Sequence, residues 1–153
     1  MKNWKRRLLC VGIPLAVGGL SALVSGGMKS YGALRQPPLS PPGWVFPVVW
    51  TVLYVLMGLA SCRVYEEGEG ARRRRALTAY GVQLALNVLW SPVFFRGQLY
   101  LTAFLILVVL WVAIFITMHR FSKVDSKAGD LLLPYLLWVT FAGYLNLGVF
   151  LLN

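Results

Sequence analysis

Acidic side chains, histidine and cysteine are nearly absent from this 153-residue chain, which has five Asp and Glu, one His and two Cys. With His119 the single histidine and no cluster of acidic or sulfur ligands, a metal centre has no donor set. A Ser/His/Asp triad and a phosphate-cradling glycine loop are missing as well, so conventional acid–base or nucleotide chemistry has few candidates. Cys10 and Cys62 give neither a disulfide framework nor metal spacing, and read as small, inert apolar residues. No metal and no resident cofactor are expected.

What the chain has in excess is apolar surface. Hydrophobic residues make up 58% of it, aromatics 14% and charged residues only 13%, and the mean hydropathy is +0.68. A soluble domain of this size has no way to hide so much apolar area. Five apolar stretches stand out: Leu8–Met28, Trp44–Tyr65, Ala76–Phe95, Gln98–His119 and Leu131–Leu152. Each is about 20 residues long, which at ~1.5 Å per residue crosses a hydrocarbon core of ~30 Å. Lipid offers backbone polar groups no partner, so the expected fold is all-α, a five-transmembrane-helix bundle forming one domain over residues 1–153. The first stretch is read as a retained helix and not a signal peptide, because it is long for such a segment and no small-residue cleavage site follows.

The net charge of +10 is distributed by position. Twelve Lys and Arg fall in the N-terminus, the second loop and the fourth loop, against three on the other side, including Lys29, Arg35 and Arg96. By the positive-inside rule the N-terminus is cytoplasmic. The basic flanks are topology signals and contacts for anionic lipid, not a nucleic-acid surface. A bacterial cell membrane is the expected location.

Between the first two spans, residues 29–43 form the longest extramembrane segment, with Tyr31, Pro37, Pro38, Pro41 and Pro42. Prolines stiffen it, so it is either a lid over the outer end of the bundle or a delay before the second helix. The second loop, Glu66–Arg75, and the fourth, Phe121–Asp130, read as short solvated turns. The third, around Arg96–Gln98, makes a tight hairpin.

Helical periodicity lines up Phe46, Trp50, Tyr54, Met57 and Ser61 in the second span, and Gln83, Asn87, Trp90, Ser91 and Phe94 in the third. Pro134, Trp138, Ala142 and Leu145 share a face of the fifth. Amides are costly against lipid, so the Gln83/Asn87 face points inward. These stripes either wall an aromatic cavity suited to a flat hydrophobic ligand or pack the bundle core. Gly81 and Ala85 lie nearly opposite the polar stripe and form a candidate dimer interface. Trp4 and Trp44 read as interfacial anchors.

Three segments resemble a known family. They are Ser40-Pro41-Pro42-Gly43-Trp44-Val45-Phe46-Pro47 through Trp50 and Tyr54, Gln83 through Asn87 to Trp90-Ser91, and Pro134-Tyr135-Leu136-Leu137-Trp138 with Phe141-Ala142-Gly143-Tyr144-Leu145-Asn146. Together they resemble the tryptophan-rich sensory proteins, bacterial relatives of the mitochondrial translocator protein, over nearly the whole chain. The resemblance implies a homodimer of five-helix bundles whose pocket, under the first loop, binds protoporphyrin IX and other tetrapyrroles, isoquinoline carboxamides and benzodiazepines. It transfers pocket roles to Trp50, Tyr54, Asn87, Trp90, Ser91, Trp138, Ala142 and Leu145. It also implies, by analogy with members reported to degrade porphyrin in light and oxygen, catalytic roles for Tyr31 and Trp138. Two departures stand out. Nothing basic follows Tyr144, which removes the animal sterol motif, and Leu39 replaces a tryptophan that many members carry. The function expected is a porphyrin-binding membrane sensor or translocator. The alternatives are a photo-oxidative porphyrin-degrading enzyme and a non-catalytic protein that binds lipid or a partner.

Overall fold

A computed structural model describes residues 2–25 and 33–153. Its helices are α1 (Lys2–Ser25), α2 (Val45–Glu67), α3 (Gly70–Ser91), α4 (Tyr100–Val124), a short α5 (Ser126–Leu131) and α6 (Leu133–Leu152). A π-helical turn, Pro92–Arg96, continues α3. Among the described residues, four stretches are long and apolar enough to cross a membrane: Trp4–Ser25, Val45–Glu67, Tyr100–Val124 and Ser126–Leu152. The fifth long helix of the bundle, α3, has 22 residues but opens on Arg72–Arg75 and carries Gln83 and Asn87 inside. Outward-facing apolar side chains such as Leu8, Leu23, Val48, Leu105 and Leu137 coat the bundle, as a lipid-facing surface requires. Trp4 and Trp44 are exposed at opposite ends of the bundle.

Several helices run past the apolar stretches that announced them. α1 begins six residues before Leu8, while its expected end at Met28 lies outside the described residues, as do Lys29 and Tyr31. The second loop shrinks to Gly68 and Glu69, and Arg72–Arg75 form the first turns of α3. Hydropathy marks only the part of a helix that sits in hydrocarbon. Arginine is a good helix former and its long stem reaches the headgroups, so the helix continues where the apolar signal stops. Gly70, at φ 56°, supplies the left-handed residue that starts α3. The expected fourth loop is also largely helical, because α5 folds directly onto the end of α4 with Gly129 pressed against Ser122 and Met118.

α1 and α2 pack antiparallel in a single register. Arg6 donates to Glu66 at 3.4 Å. One turn on, Cys10 is the side-chain neighbour of Cys62. A Cβ at Gly58 would stand 2.5 Å from the Val11 Cα and 2.6 Å from the Cys10 carbonyl oxygen. Farther along, Gly18 lies flat against the Tyr54 ring. Glycine at these two positions is what lets the helices approach. The α3–α4 hairpin and the α4–α6 pair complete the ring of helices, and α6 closes on α2 through side chains: Phe46 meets Trp138 edge-on at 5.8 Å and Trp50 meets Tyr135 at 6.1 Å.

At the basic end, arginines tie helix ends together. Arg73 donates to the Tyr65 carbonyl at 3.1 Å, Arg72 to that of Lys123 and Arg120 to that of Arg75. Arg63 pairs with Asp125, the residue between α4 and α5, and its guanidinium holds the Asp125 carboxyl below the usual carboxylate range.

Replacing Gly58 by leucine drives a side chain into the α1 backbone, with an expected cost on the order of 1–3 kcal/mol, read as a lower thermal midpoint in detergent. Because the Asp125 carboxyl is depressed in the folded state, its contribution is present above the unfolded pKa of about 3.9 and fades as pH falls through the lower folded value. The Asp125→Asn variant should lack this acid-side loss when thermal midpoints are followed from pH 6 down to about pH 3.

Candidate ligand-binding site

Lipid cannot satisfy amides or hydroxyls, so the polar side chains of α2, α3 and α6 partner one another. Tyr54 Oη donates to Asn87 Oδ1 at 2.9 Å, Asn87 Nδ2 donates to Tyr135 Oη at 2.7 Å, and Tyr135 Oη donates to Gln83 Oε1 at 2.7 Å. All four residues are buried. Toward the far end, Trp90 Nε1 donates to Asn146 Oδ1 at 3.0 Å, and Asn146 Nδ2 donates to the Tyr100 carbonyl at 2.8 Å. These bonds hold three helices at set rotations and aim their aromatic rings.

Those rings form one wall of a cavity of about 150 Å³ between α1, α2 and α3. Trp50 stacks on Tyr54 at 5.6 Å and leans on Trp90 at 6.5 Å. Phe46, Pro47, Asn87, Ser91 and Phe95 complete this side. The opposite side is α1, presenting Gly18, Ser21, Ala22 and Ser25. Two serines hold α1 in place: Ser21 Oγ donates to the Val88 carbonyl at 3.0 Å, and the Ser25 and Ser91 hydroxyls hydrogen-bond each other at 2.8 Å. At the far mouth Arg96 donates to the Val24 carbonyl at 3.2 Å.

The π-helical turn shapes this mouth. Pro92 has no N–H for the α-helical ladder, and a wider bond, five residues apart, runs from the Gly97 N–H to the Pro92 carbonyl at 2.9 Å. The widened turn brings two consecutive rings inward: Phe94 is 3% exposed and Phe95 8%. In a regular helix successive side chains diverge by about 100°.

Of the residues singled out in the sequence, Phe46, Trp50, Tyr54, Asn87, Trp90 and Ser91 line this cavity together. Phe94, Ala142 and Leu145 lie behind it, around a much smaller void of about 10 Å³ shared with Phe46 and Trp90. Trp138 lines neither of these spaces. It packs against Phe46 and Phe141, and its indole N–H is buried without a hydrogen-bond partner. Tyr31 lies outside the described residues. Gly81 and Ala85 sit on the exposed side of α3, where nothing approaches a Cβ placed on Gly81.

Two groups had no assigned role in the sequence. The α1 wall is written as small residues at Gly18, Ser21, Ala22 and Ser25, the helical spacing of one close-packed face. Tyr135 and Asn146, quoted only as part of a motif, hold the hydrogen-bond network together. Over its described part the first loop is strapped to the far end of α6, with Pro37 against Gly148, the Tyr144 hydroxyl donating to the Pro38 carbonyl at 2.6 Å, and Asn153 bonded to both backbone groups of Arg35. Leu39, at φ 72°, points outward and is 84% exposed. No described residue of this loop borders the cavity.

The family model of the TspO/MBR family matches residues 10–152. The chain is 45% identical over 143 residues to the tryptophan-rich sensory protein of Cereibacter sphaeroides, covering 91% of this chain and 88% of that protein. It is 39% identical over 150 residues to the tryptophan-rich protein TspO of Chlorobaculum tepidum, covering 95% and 94%. The translocator protein of Homo sapiens is 36% identical over 122 residues, 78% of this chain and 72% of that one. With a bundle of apolar helices and bacterial relatives spanning most of its length, the chain is a multi-pass membrane protein of the bacterial type and belongs to the TspO/MBR family.

Proposed function

We propose that the protein is a membrane receptor for flat, hydrophobic ligands of the tetrapyrrole class, protoporphyrin IX foremost, and that isoquinoline carboxamide and benzodiazepine compounds enter the same site. The observation that carries this reading is the cavity itself: stacked indole and phenol rings on one side, small residues on the other, and a few amide and hydroxyl groups between. Aromatic faces favour a planar π-system, and the amide and hydroxyl of Asn87 and Ser91 suit its polar edge. Arg96 supplies a cation at the far mouth for a carboxylate.

The cavity of about 150 Å³ is smaller than the roughly 300–1,000 Å³ of sites for drug-sized ligands. Ligand entry therefore requires α1 to yield. α1 is the element suited to do so, since only 22% of its apolar window is buried and two serine hydroxyls bind it to α3. Trp50 and Trp90 already lean on each other, so the ligand stacks on their α1-facing side and not between them.

A second reading, breakdown of the bound porphyrin by light and oxygen, rests on Trp138. Its partnerless buried indole lies one ring behind Phe46, which itself borders the cavity. The exposed α3 face around Gly81 and Ala85 is the proposed contact for a second copy.

Protoporphyrin IX added in the dark to purified protein should quench tryptophan fluorescence saturably. Trp50→Ala should weaken the affinity about tenfold, the equivalent of ~1.4 kcal/mol of lost aromatic contact, and Ala22→Trp, which fills the cavity from α1, should abolish binding. Equal binding by all three proteins would refute the site. Illuminating the same samples separates the readings: loss of the porphyrin spectrum that is slowed by Trp138→Phe supports breakdown, and an unchanged spectrum supports reception alone. Gly81→Leu should lower the mass seen by light scattering in detergent from dimer to monomer, and a monomeric wild type would remove the α3 contact.

A further inference from the structure

Cys10 and Cys62 are not engaged by the ligand site. They sit on facing turns of α1 and α2 in the register set by Arg6 with Glu66 and by Gly18 with Tyr54. Each step of four residues along α1 matches a step of four back along α2, so the side chains at positions 10 and 62 fall between these two contacts. One turn away, the Gly58 backbone touches the backbone of Cys10 and Val11. Cys10 is one of the groups neighbouring the Cys62 thiol, with Glu66 and Arg7 beyond it. A disulfide needs Cα atoms about 4.4–6.8 Å apart, a spacing that only helices packed as closely as these can reach.

The pair is also reachable. Cys10 is part-exposed and Cys62 buried behind it. Cys10 lines a groove of about 500 Å³ at the basic end, bordered by Leu9, Ile13, Pro14, Leu77 and Tyr80 and opening between α1, α2 and α3. A small or acyl-chain oxidant dissolved in the adjacent leaflet has a path to one thiol while the other waits in place.

We infer that Cys10 and Cys62 form an oxidisable dithiol that a hydroperoxide, inorganic or lipid-borne, converts into an intramolecular disulfide joining α1 to α2. The Cys10 sulfur attacks the terminal peroxide oxygen. The O–O bond breaks, Cys10 becomes a sulfenic acid, and the hydroperoxide leaves as water or an alcohol. The Cys62 sulfur then displaces the sulfenic oxygen, which departs as water, and the S–S bond forms; two thiols are oxidised and one peroxide is reduced. In a reducing cytoplasm such a bond is transient and is reversed by thiol exchange, as expected of a redox-responsive pair and not of a structural one.

The test uses the full-length protein in lipid nanodiscs exposed to hydrogen peroxide, read by intact mass and by maleimide labelling after unfolding. The expected result is a monomer lighter by two hydrogen atoms, loss of both labelled thiols, and recovery of both on adding dithiothreitol. Cys62→Ser should instead leave a Cys10 sulfenic acid that dimedone traps, which identifies the attacking sulfur without relying on the disulfide. Two labelled thiols persisting after peroxide, or disulfides found only between molecules, would overturn the inference. Repeating the reaction with a lipid hydroperoxide distinguishes the oxidants: a faster reaction assigns the groove an acyl-chain substrate, and an equal rate assigns it to peroxide from the aqueous phase.

Discussion

Hydrocarbon offers no hydrogen-bond partner, and the chain from Tyr54 through Asn87 and Tyr135 to Gln83 is how this bundle meets that constraint. It joins α2, α3 and α6 at one level, and each bond sets the rotation of a helix as well as satisfying a polar group. With α3 turned so that Gln83 and Asn87 face inward, Trp90 must also face inward, and Asn146 waits there for its indole N–H. The aromatic wall is thus a consequence of where the amides have to go. Interhelical hydrogen bonds of this kind are each worth only about 0.6 kcal/mol on average, so their main effect is orientation.

α1 plays a different part. Besides Leu15 and Val17, it meets the bundle through glycine and serine, and the space between it and the aromatic wall is the cavity. Its basic half is held tightly, by the close approach at Gly58 and the Arg6–Glu66 pair. Its far half is held by Ser21 and Ser25. A helix clamped at one end and lightly bonded at the other is suited to admitting a ligand at the far mouth, and the two cysteines lie in the clamped half. Ligand entry and thiol chemistry therefore concern opposite ends of one helix pair.

Much of this was legible in the residues. Apolar runs located the bundle, and the cost of an amide in lipid turned Gln83 and Asn87 inward. Periodicity then put Trp50, Tyr54 and Trp90 beside them. The signal failed where its physical basis failed. Hydropathy is silent about helix outside hydrocarbon, so Arg72–Arg75 read as a loop. Small residues resemble any lipid-facing helix, so Gly18, Ser21, Ala22 and Ser25 gave no hint of a wall. Trp138 shares a helical face with Ala142 and Leu145, yet face and depth alone do not reveal that Phe46 stands between Trp138 and the cavity.

By itself the sequence determined that the chain lives in a membrane, how many long helices it has and which faces of α2 and α3 avoid lipid, because each of these follows from transfer energies that act on single residues and their spacing. The tertiary structure alone decided which helix supplies the second wall, that the described part of the first loop is tied to α6, and that Cys10 comes to neighbour Cys62. Those outcomes depend on the register between helices, which is set by side-chain fit at contacts such as Gly58 on Val11 and Pro37 on Gly148, and no one segment carries that information.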